Sequence, residues 1–414
     1  MMGRALHPPA FHLEGLSTLA GRASPSSIDQ NTSMRVLHVI TALGVGGAER
    51  MLVKLLEARA LAGVEQHVFS MLPGGAMVGA LRDTGAPLTS LDFLGGVPVL
   101  TGSIGLALAA RRCRPDLVHG WMYHGNLGAV LAAAVQPRKV PLIWGIRQSL
   151  PNLSGENAFA RIGIQLSRWV SHRPDKMLFN SVTSLEQHGA LGFDTRRAHY
   201  LPNGFDTSEF SPSQPARALT RSQWGVGIDE VVFGMMARYH PAKGHAVFLE
   251  AACRVAATQA RCAFVMAGTG VDEHNTELVQ MVRQLGLQGR VKLLGERQDI
   301  AVVLSGLDVY VSASTRIEAF SNSIGEAMSC ELPCVVTAIG DSPRVVGKAG
   351  IAVAPSEPEA LAHAMSRMIE LGAVGRASLG LMGRQRIQAE FELEVIAQQH
   401  ADLYHALLAE RESS

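Results

Sequence analysis

Thr315-Arg316-Ile317-Glu318-Ala319-Phe320-Ser321-Asn322-Ser323-Ile324-Gly325-Glu326-Ala327-Met328-Ser329-Cys330 decides how the chain is read. It follows the apolar run 307–311 and precedes another at 333–336, each of strand length, so it reads as strand, loop and short helix inside an alternating βα pattern. Glu318 falls in the loop and Glu326 on the helix that the loop feeds. In an open α/β sheet ligands bind outside the carboxyl ends of the strands. Two carboxylates there accept hydrogen bonds from hydroxyl groups. The backbone N–H groups of Phe320, Ser321 and Asn322, at a helix start, suit an anion. The stretch therefore fits a hydroxyl-rich, phosphorylated ligand. The plainer alternative is that Ser323-x-x-Glu326 is a capping box and Glu318 a solvated loop residue.

The same βα rhythm runs outward in both directions. Toward the N-terminus a strand over 231–237 ends in Arg238-Tyr239-His240-Pro241-Ala242-Lys243-Gly244, followed by a helix over 245–256. Two cations at a helix start oppose its dipole, by roughly 0.3–1 kcal/mol each when exposed, unless an anion sits between them. A guanidinium and an ammonium suit a diphosphate. Strands over 263–267 and 290–294 follow, the first ending in Gly268-Thr269-Gly270. Helices are expected over 358–370 and 391–408.

An earlier series opens at Met34. A strand over 35–40 leads into a glycine-rich loop containing Gly46 and Gly47, then a helix over 51–61. The glycines let a ligand approach the backbone closely, but the spacing is not that of a dinucleotide site. Strands are expected at 67–71, 117–119, 141–145 and 177–180. Polar groups gather at two strand ends: His119-Gly120-Trp121-Met122-Tyr123-His124, opening a helix over 127–135, and Gly145-Ile146-Arg147-Gln148-Ser149. His124 is a candidate ligand contact or proton relay, and Arg147 a candidate anion contact. Phe159, Ile162, Leu166, Trp169 and Val170 recur at helical spacing among arginines. Such a stripe fits an anionic membrane surface or a core contact, and the core contact is the favoured reading. The turn-rich segment 201–215, with Pro202-Asn203-Gly204, separates the two series.

Composition bounds the function. Of 414 residues, 47% are hydrophobic and 18% charged, as in a globular chain with a large core. Aromatic residues make up only 5%, which argues against base stacking on nucleic acid. The net charge of +1 conceals a basic segment 34–205, with 17 Lys and Arg against 10 Asp and Glu, and an acidic segment 206–414, with 18 against 24. An anionic partner is thus expected for the first half. The cysteines at 113, 253, 262, 330 and 334 form no C-x-x-C pair and imply neither a disulfide framework nor a zinc site. No apolar run is long enough to span a bilayer. Residues 1–33 read as a disordered extension or as sequence upstream of a natural start at Met34.

Together these motifs, in this order, resemble glycosyltransferase family 4, of the GT-B type. Glu318-x7-Glu326, Arg238-x4-Lys243-Gly244, Gly268-Thr269-Gly270, Pro202-Asn203-Gly204 and Gly46-Gly47 carry the resemblance over residues 34 to about 405. It implies an α/β fold of two doubly wound Rossmann-like domains facing across a cleft. The first, at 34–205, would bind acceptor and the second, at 206–385, a nucleotide-sugar. A terminal helix at 386–414 would pack back on the first domain. It further implies retaining, metal-independent transfer of a sugar from a nucleotide-diphosphate-sugar to a lipid-diphosphate-linked or other saccharide acceptor in surface-polysaccharide synthesis. The location would be cytoplasmic, peripheral on the inner face of the membrane. No cofactor, metal or nucleic acid is expected. By resemblance Arg238 and Lys243 hold the diphosphate, Glu326 the ribose and Glu318 the donor sugar. The amides of 320–322 and Gly46 and Gly47 complete the donor site. Catalytic candidates are Glu318, Arg238, Lys243 and His124; acceptor or sugar contacts are Trp121, His124, Arg147 and Asn203. Relatives often carry His-x-His where this chain has His119-Gly120-Trp121, so the sugar contact falls to Trp121 or passes to His124. A sugar-nucleotide epimerase or hydrolase, or a non-catalytic sugar-nucleotide-binding protein, would share the fold.

Overall fold

A computed structural model of the chain describes residues 34–91, 99–316 and 318–413. The extension expected at 1–33 lies outside the described residues.

The first lobe is a sheet of seven parallel strands in the order β3-β2-β1-β4-β5-β6-β7. These are β1 (Arg35–Ile40), β2 (Glu65–Ser70), β3 (Leu88–Ser90), β4 (Leu117–Trp121), β5 (Leu142–Ile146), β6 (Lys176–Phe179) and β7 (Ala198–Tyr200). The central strands are buried on both faces, because helices cover both. One face carries α1 (Gly47–Glu57) and α2 (Val78–Asp83); the other carries α3 (Val99–Cys113), α4 (Met122–Ala134) and α5 (Ala158–Trp169). The helix α6 (Val182–Ala190) follows β6.

The second lobe has six parallel strands in the order β10-β9-β8-β11-β12-β13. They are β8 (Val231–Met236), β9 (Cys262–Ala267), β10 (Val291–Leu293), β11 (Val309–Ser312), β12 (Cys334–Thr337) and β13 (Gly350–Val353). Its helices are α7 (Gln214–Trp224), α8 (His245–Thr258), α9 (Thr276–Gln284), α10 (Ile300–Ser305), α11 (Asn322–Ser329), α12 (Ser342–Val346), α13 (Pro358–Glu370) and α14 (Gly372–Glu390). Both strand orders reverse direction beside the first strand of their series, the switch-point topology of doubly wound sheets.

The chain crosses between lobes twice, side by side. Phe205 N donates to Phe391 O and Leu393 N to Phe205 O, both at 2.8 Å. After the second crossing α15 (Leu393–Glu412) returns to the first lobe. There Ile396, Ala397, Ala401 and Tyr404 join the α1-side core, and Glu394 accepts the N–H groups of Arg59 and Ala60 at 3.0 Å. A third tie joins loops at the sheets' carboxyl ends. The carboxylate of Asp341, before α12, accepts from Ser181 Oγ at 2.8 Å and from the N–H groups of Val182 and Thr183 at 3.0 and 3.1 Å. An acid from one lobe thus caps a helix of the other.

Three expectations are corrected. The polar segment after β4 is not a loop before a helix at 127: α4 begins at Met122, which takes a left-handed φ of 60°. The glycine pair does not form an open loop, since Gly46 is the N-cap of α1 and Gly47 its first residue. The apolar stripe of α5 does not face the core; Phe159, Ile162, Leu166 and Trp169 are exposed, while Gly163, Ile164 and Ser167 face inward.

Candidate active site

The loops after β8 and β11 build one corner of the site. Lys243 closes a short 3-10 turn over Pro241–Lys243, and its Nζ lies 2.6 Å from Glu318 Oε2. Ser314 Oγ donates to the same oxygen at 3.1 Å. The loops are stitched together by Thr315 N donating to Ala242 O at 2.9 Å. Gly244 has a φ of 72°, and a Cβ there would stand 1.9 Å from Ala313 O, so only glycine allows this approach. Gly340, with a φ of 56°, plays the same part beneath the Glu318 loop, where a Cβ would meet Glu318 O at 2.1 Å. Arg238 is exposed, with no described charged partner. The loop carrying Gly268 and Gly270 is tied in by Tyr239 N donating to Thr269 O at 2.8 Å.

The helix α11 starts beside that corner. Its N-cap is Ser321, whose side chain makes no capping bond, while Ser323 Oγ accepts from the Tyr310 hydroxyl at 2.6 Å. The capping box read in Ser323-x-x-Glu326 is therefore not formed. No described hydrogen bond uses the N–H groups of Phe320, Ser321 or Asn322. One turn on, the Glu326 carboxyl is raised above its ordinary value, chiefly by burial, against the opposing pull of Lys54 and Arg50. Those two cations lie on α1, so the first lobe faces this carboxylate.

The first lobe reaches the same helix start. Asn203 Nδ2 donates to Asn322 Oδ1 at 2.7 Å, and Arg147 donates to Asn203 Oδ1. A Cβ on Gly47 would lie 3.6 Å from Asn322 Nδ2. Glu318, Lys243, Phe320–Asn322, Gly47, Asn203 and Arg147 are thus gathered at the junction of the lobes.

Trp121 is placed differently from its expected sugar contact. It is wholly buried; its Nε1 donates to His38 Nδ1 at 3.1 Å, and its ring lies under the Arg147 guanidinium, 5.0 Å from the centroid. It positions Arg147 and offers no surface to a sugar. Arg147 Nε and Nη2 find no partner among the described protein atoms, and burial lowers its pKa to about 10. His124 is stacked on Phe159, with ring centroids 4.2 Å apart, and burial lowers its pKa. No described contact joins it to Glu318 or Lys243.

Sequence reasoning missed Asp341, Lys54 and Arg50. The signal for Asp341 was present, because Asp before Ser-Pro is a helix-start pattern. Nothing in the sequence pairs the α1 cations with Glu326.

Residues 45–209 match the family described as Glycosyltransferase Family 4, and residues 230–371 the family described as Glycosyl transferases group 1. Each lobe thus matches one glycosyltransferase family model, the first over most of its length and the second likewise. It is 30% identical over 149 residues to the glycosyltransferase EpsF of Bacillus subtilis (strain 168), a match covering 36% of this chain and 38% of that protein. It is 26% identical to the lipopolysaccharide core biosynthesis glycosyltransferase LpsE of Rhizobium meliloti (strain 1021), over 88% of this chain and 96% of that one. Several of the curated relatives are matched over 31 to 46% of their own length. Among solved structures, Anabaena Alr3699/HepE in complex with UDP superposes with a TM-score of 0.78 at 22% identity, covering 90% of this chain and all of that one. The fold is GT-B.

Proposed function

We propose that the protein is a retaining, metal-independent glycosyltransferase that moves a sugar from a nucleotide-diphosphate-sugar to a lipid-diphosphate-linked saccharide in surface-polysaccharide synthesis, working at the inner face of the cell membrane. The observation that carries this reading is the Lys243–Glu318 pair at 2.6 Å beside the amides of 320–322, which no described hydrogen bond uses. Lys243 and exposed Arg238 supply positive charge to a diphosphate, the amides and α11 dipole add to it, and Glu318 accepts from sugar hydroxyls. Glu326 suits the ribose. The first lobe would bind the acceptor and the second the donor. LpsE is named for lipopolysaccharide core synthesis, and HepE has been solved with UDP-glucose; both favour this class of chemistry.

In the proposed reaction the bond from sugar C1 to the β-phosphate oxygen breaks. The acceptor hydroxyl oxygen bonds to C1 from the same face, and its proton passes to the departing phosphate oxygen. The products are a glycoside and a nucleoside diphosphate. Lys243 and Arg238 stabilise the charge that grows on the leaving group, so a divalent ion has no assigned task.

A thermal-shift screen against nucleotide-sugars, with and without EDTA, tests this. One donor should raise Tm by mass action, and transfer from it should persist in EDTA. No shift with any donor would overturn the donor site, and strict dependence on added metal would overturn metal independence.

A further inference from the structure

The helix α5 is built inside out. Its bulky apolar residues Phe159, Ile162, Leu166 and Trp169 are between 48 and 78% exposed. Its inner face is small: a Cβ on Gly163 would come within 2.5 Å of His124 Nε2, and Ser167 Oγ donates to Tyr123 O at 3.3 Å. The small face seats α5 on α4, and the apolar stripe faces away from the protein. On the other side of α4 lies α3, where Ile104 and Leu108 are half exposed and are followed by exposed Arg111 and Arg112.

The charge carried by the two helices themselves is of one sign. Neither α3 nor α5 contains an acidic residue. Arg161 is held at the stripe's edge by Leu153 O and Ser154 O, at 3.0 and 3.1 Å, and Arg168 by Leu191 O at 3.3 Å. These partners are carbonyls, and among the described residues no carboxylate pairs with either guanidinium. Between residues 99 and 176 the acids are Asp116, Glu156 and Asp175; Asp116 and Asp175 are paired with Arg138 and Arg411. An apolar stripe edged by arginine and ending in Trp169 matches the boundary between anionic headgroups and acyl chains.

We propose that the α3–α4–α5 face of the first lobe docks on an anionic lipid surface, with the α5 stripe inserted and the arginines on the headgroups. The proposal deepens the membrane location argued above, on which it rests. It also places Phe159, stacked on His124 at the start of α4, between the lipid and the carboxyl end of the sheet.

The test sediments the full chain with vesicles of phosphatidylcholine alone or with phosphatidylglycerol added. Binding should require the anionic lipid and weaken with salt. Ile162→Glu with Trp169→Gln should lower the partition coefficient by about tenfold or more, and Arg161→Gln with Arg168→Gln by about tenfold. Both variants should keep the wild-type Tm and the donor-induced rise in Tm. Variants that sediment like wild type, absence of binding to anionic vesicles, or a wild-type dimer that Ile162→Glu splits would each overturn the proposal, the last by assigning the stripe to a second copy. Failure of vesicle binding with the donor shift intact removes the surface and leaves the transferase reading. The converse pattern removes the transferase reading and leaves the surface.

Discussion

The two lobes present chemically opposite rims to each other. In the second, the loops at the strand ends are locked by backbone: Gly244, Gly268 and Gly340 each sit where a Cβ would collide with a carbonyl, and Lys243 and Glu318 are already paired. In the first, the rim rests on a buried stack of His38, His119, Trp121 and Arg147. Several polar atoms there, including His119 Nε2, Asn126 Oδ1 and two Arg147 nitrogens, have no described protein partner. An unpaired buried polar group costs about 1–3 kcal/mol. One rim is shaped by backbone geometry around a formed ion pair, beside 320–322 amides that no described hydrogen bond uses; the other rests on buried polar side chains, of which Arg147 lacks a described partner at two nitrogens. The contrast suits the donor and acceptor roles proposed for the two lobes.

The largest expected effect falls on the second lobe. Lys243→Ala or Glu318→Ala should reduce transfer by about a hundred- to a thousandfold, because each removes charge complementarity at the reacting diphosphate or sugar. Tm should move little, since the pair is partly solvated, with side chains 26 and 12% exposed, and such pairs contribute about 0–1 kcal/mol. Assaying nucleoside diphosphate release beside a melting curve separates the two. Near-normal release by either variant would remove the difference between the rims.

A smaller and contrasting effect is expected in the first lobe. Arg147→Met keeps the length of the side chain and removes a charge that burial disfavours. Replacing a buried charge by an apolar group of similar volume is often neutral or stabilising. Tm should therefore hold or rise, and the donor-induced shift should remain. Transfer should fall by about tenfold as an anion contact is lost. A collapse in Tm would instead make Arg147 the support of the Asn203–Asn322 contact, and the first rim would be as self-satisfied as the second.

How legible these rims were in sequence follows from their construction. Strands β5, β8, β9, β11 and β12 stand out because burial on both faces calls for an apolar run, and β1 and β4 stand out although buried His38 and His119 interrupt theirs. The edge strands β3, β7 and β13 do not, being three or four residues long with no fully buried residue. Lys243 and Glu318 could be placed because each follows its strand directly. Asn203 and Asn322 are 119 residues apart, and only the folded crossing brings them together. The stripe of α5 was visible as a stripe, yet periodicity does not say which face is inward. The pair Gly163 and Ser167, small residues one turn apart, held that information.

The subtlest difference between the rims is Glu326, the one second-lobe carboxylate here that resembles the first lobe in being held at a cost. Burial raises its pKa above the ordinary 4.5, and Lys54 and Arg50 do not fully offset this. The folded protein therefore holds this proton more tightly than the unfolded chain does. Stability is lost as pH rises from the ordinary carboxylate range through the raised value. Glu326→Gln should accordingly raise Tm slightly at pH 7 and leave it unchanged in acid, where wild type is already protonated. The same substitution should weaken the donor-induced shift, because an amide accepts from ribose hydroxyls less strongly than a carboxylate. Melting curves across pH, with and without donor, check both signs. A variant less stable than wild type at neutral pH would mean that the α1 cations outweigh burial. The carboxylate would then tie the lobes together and would not be a cost carried for the ligand.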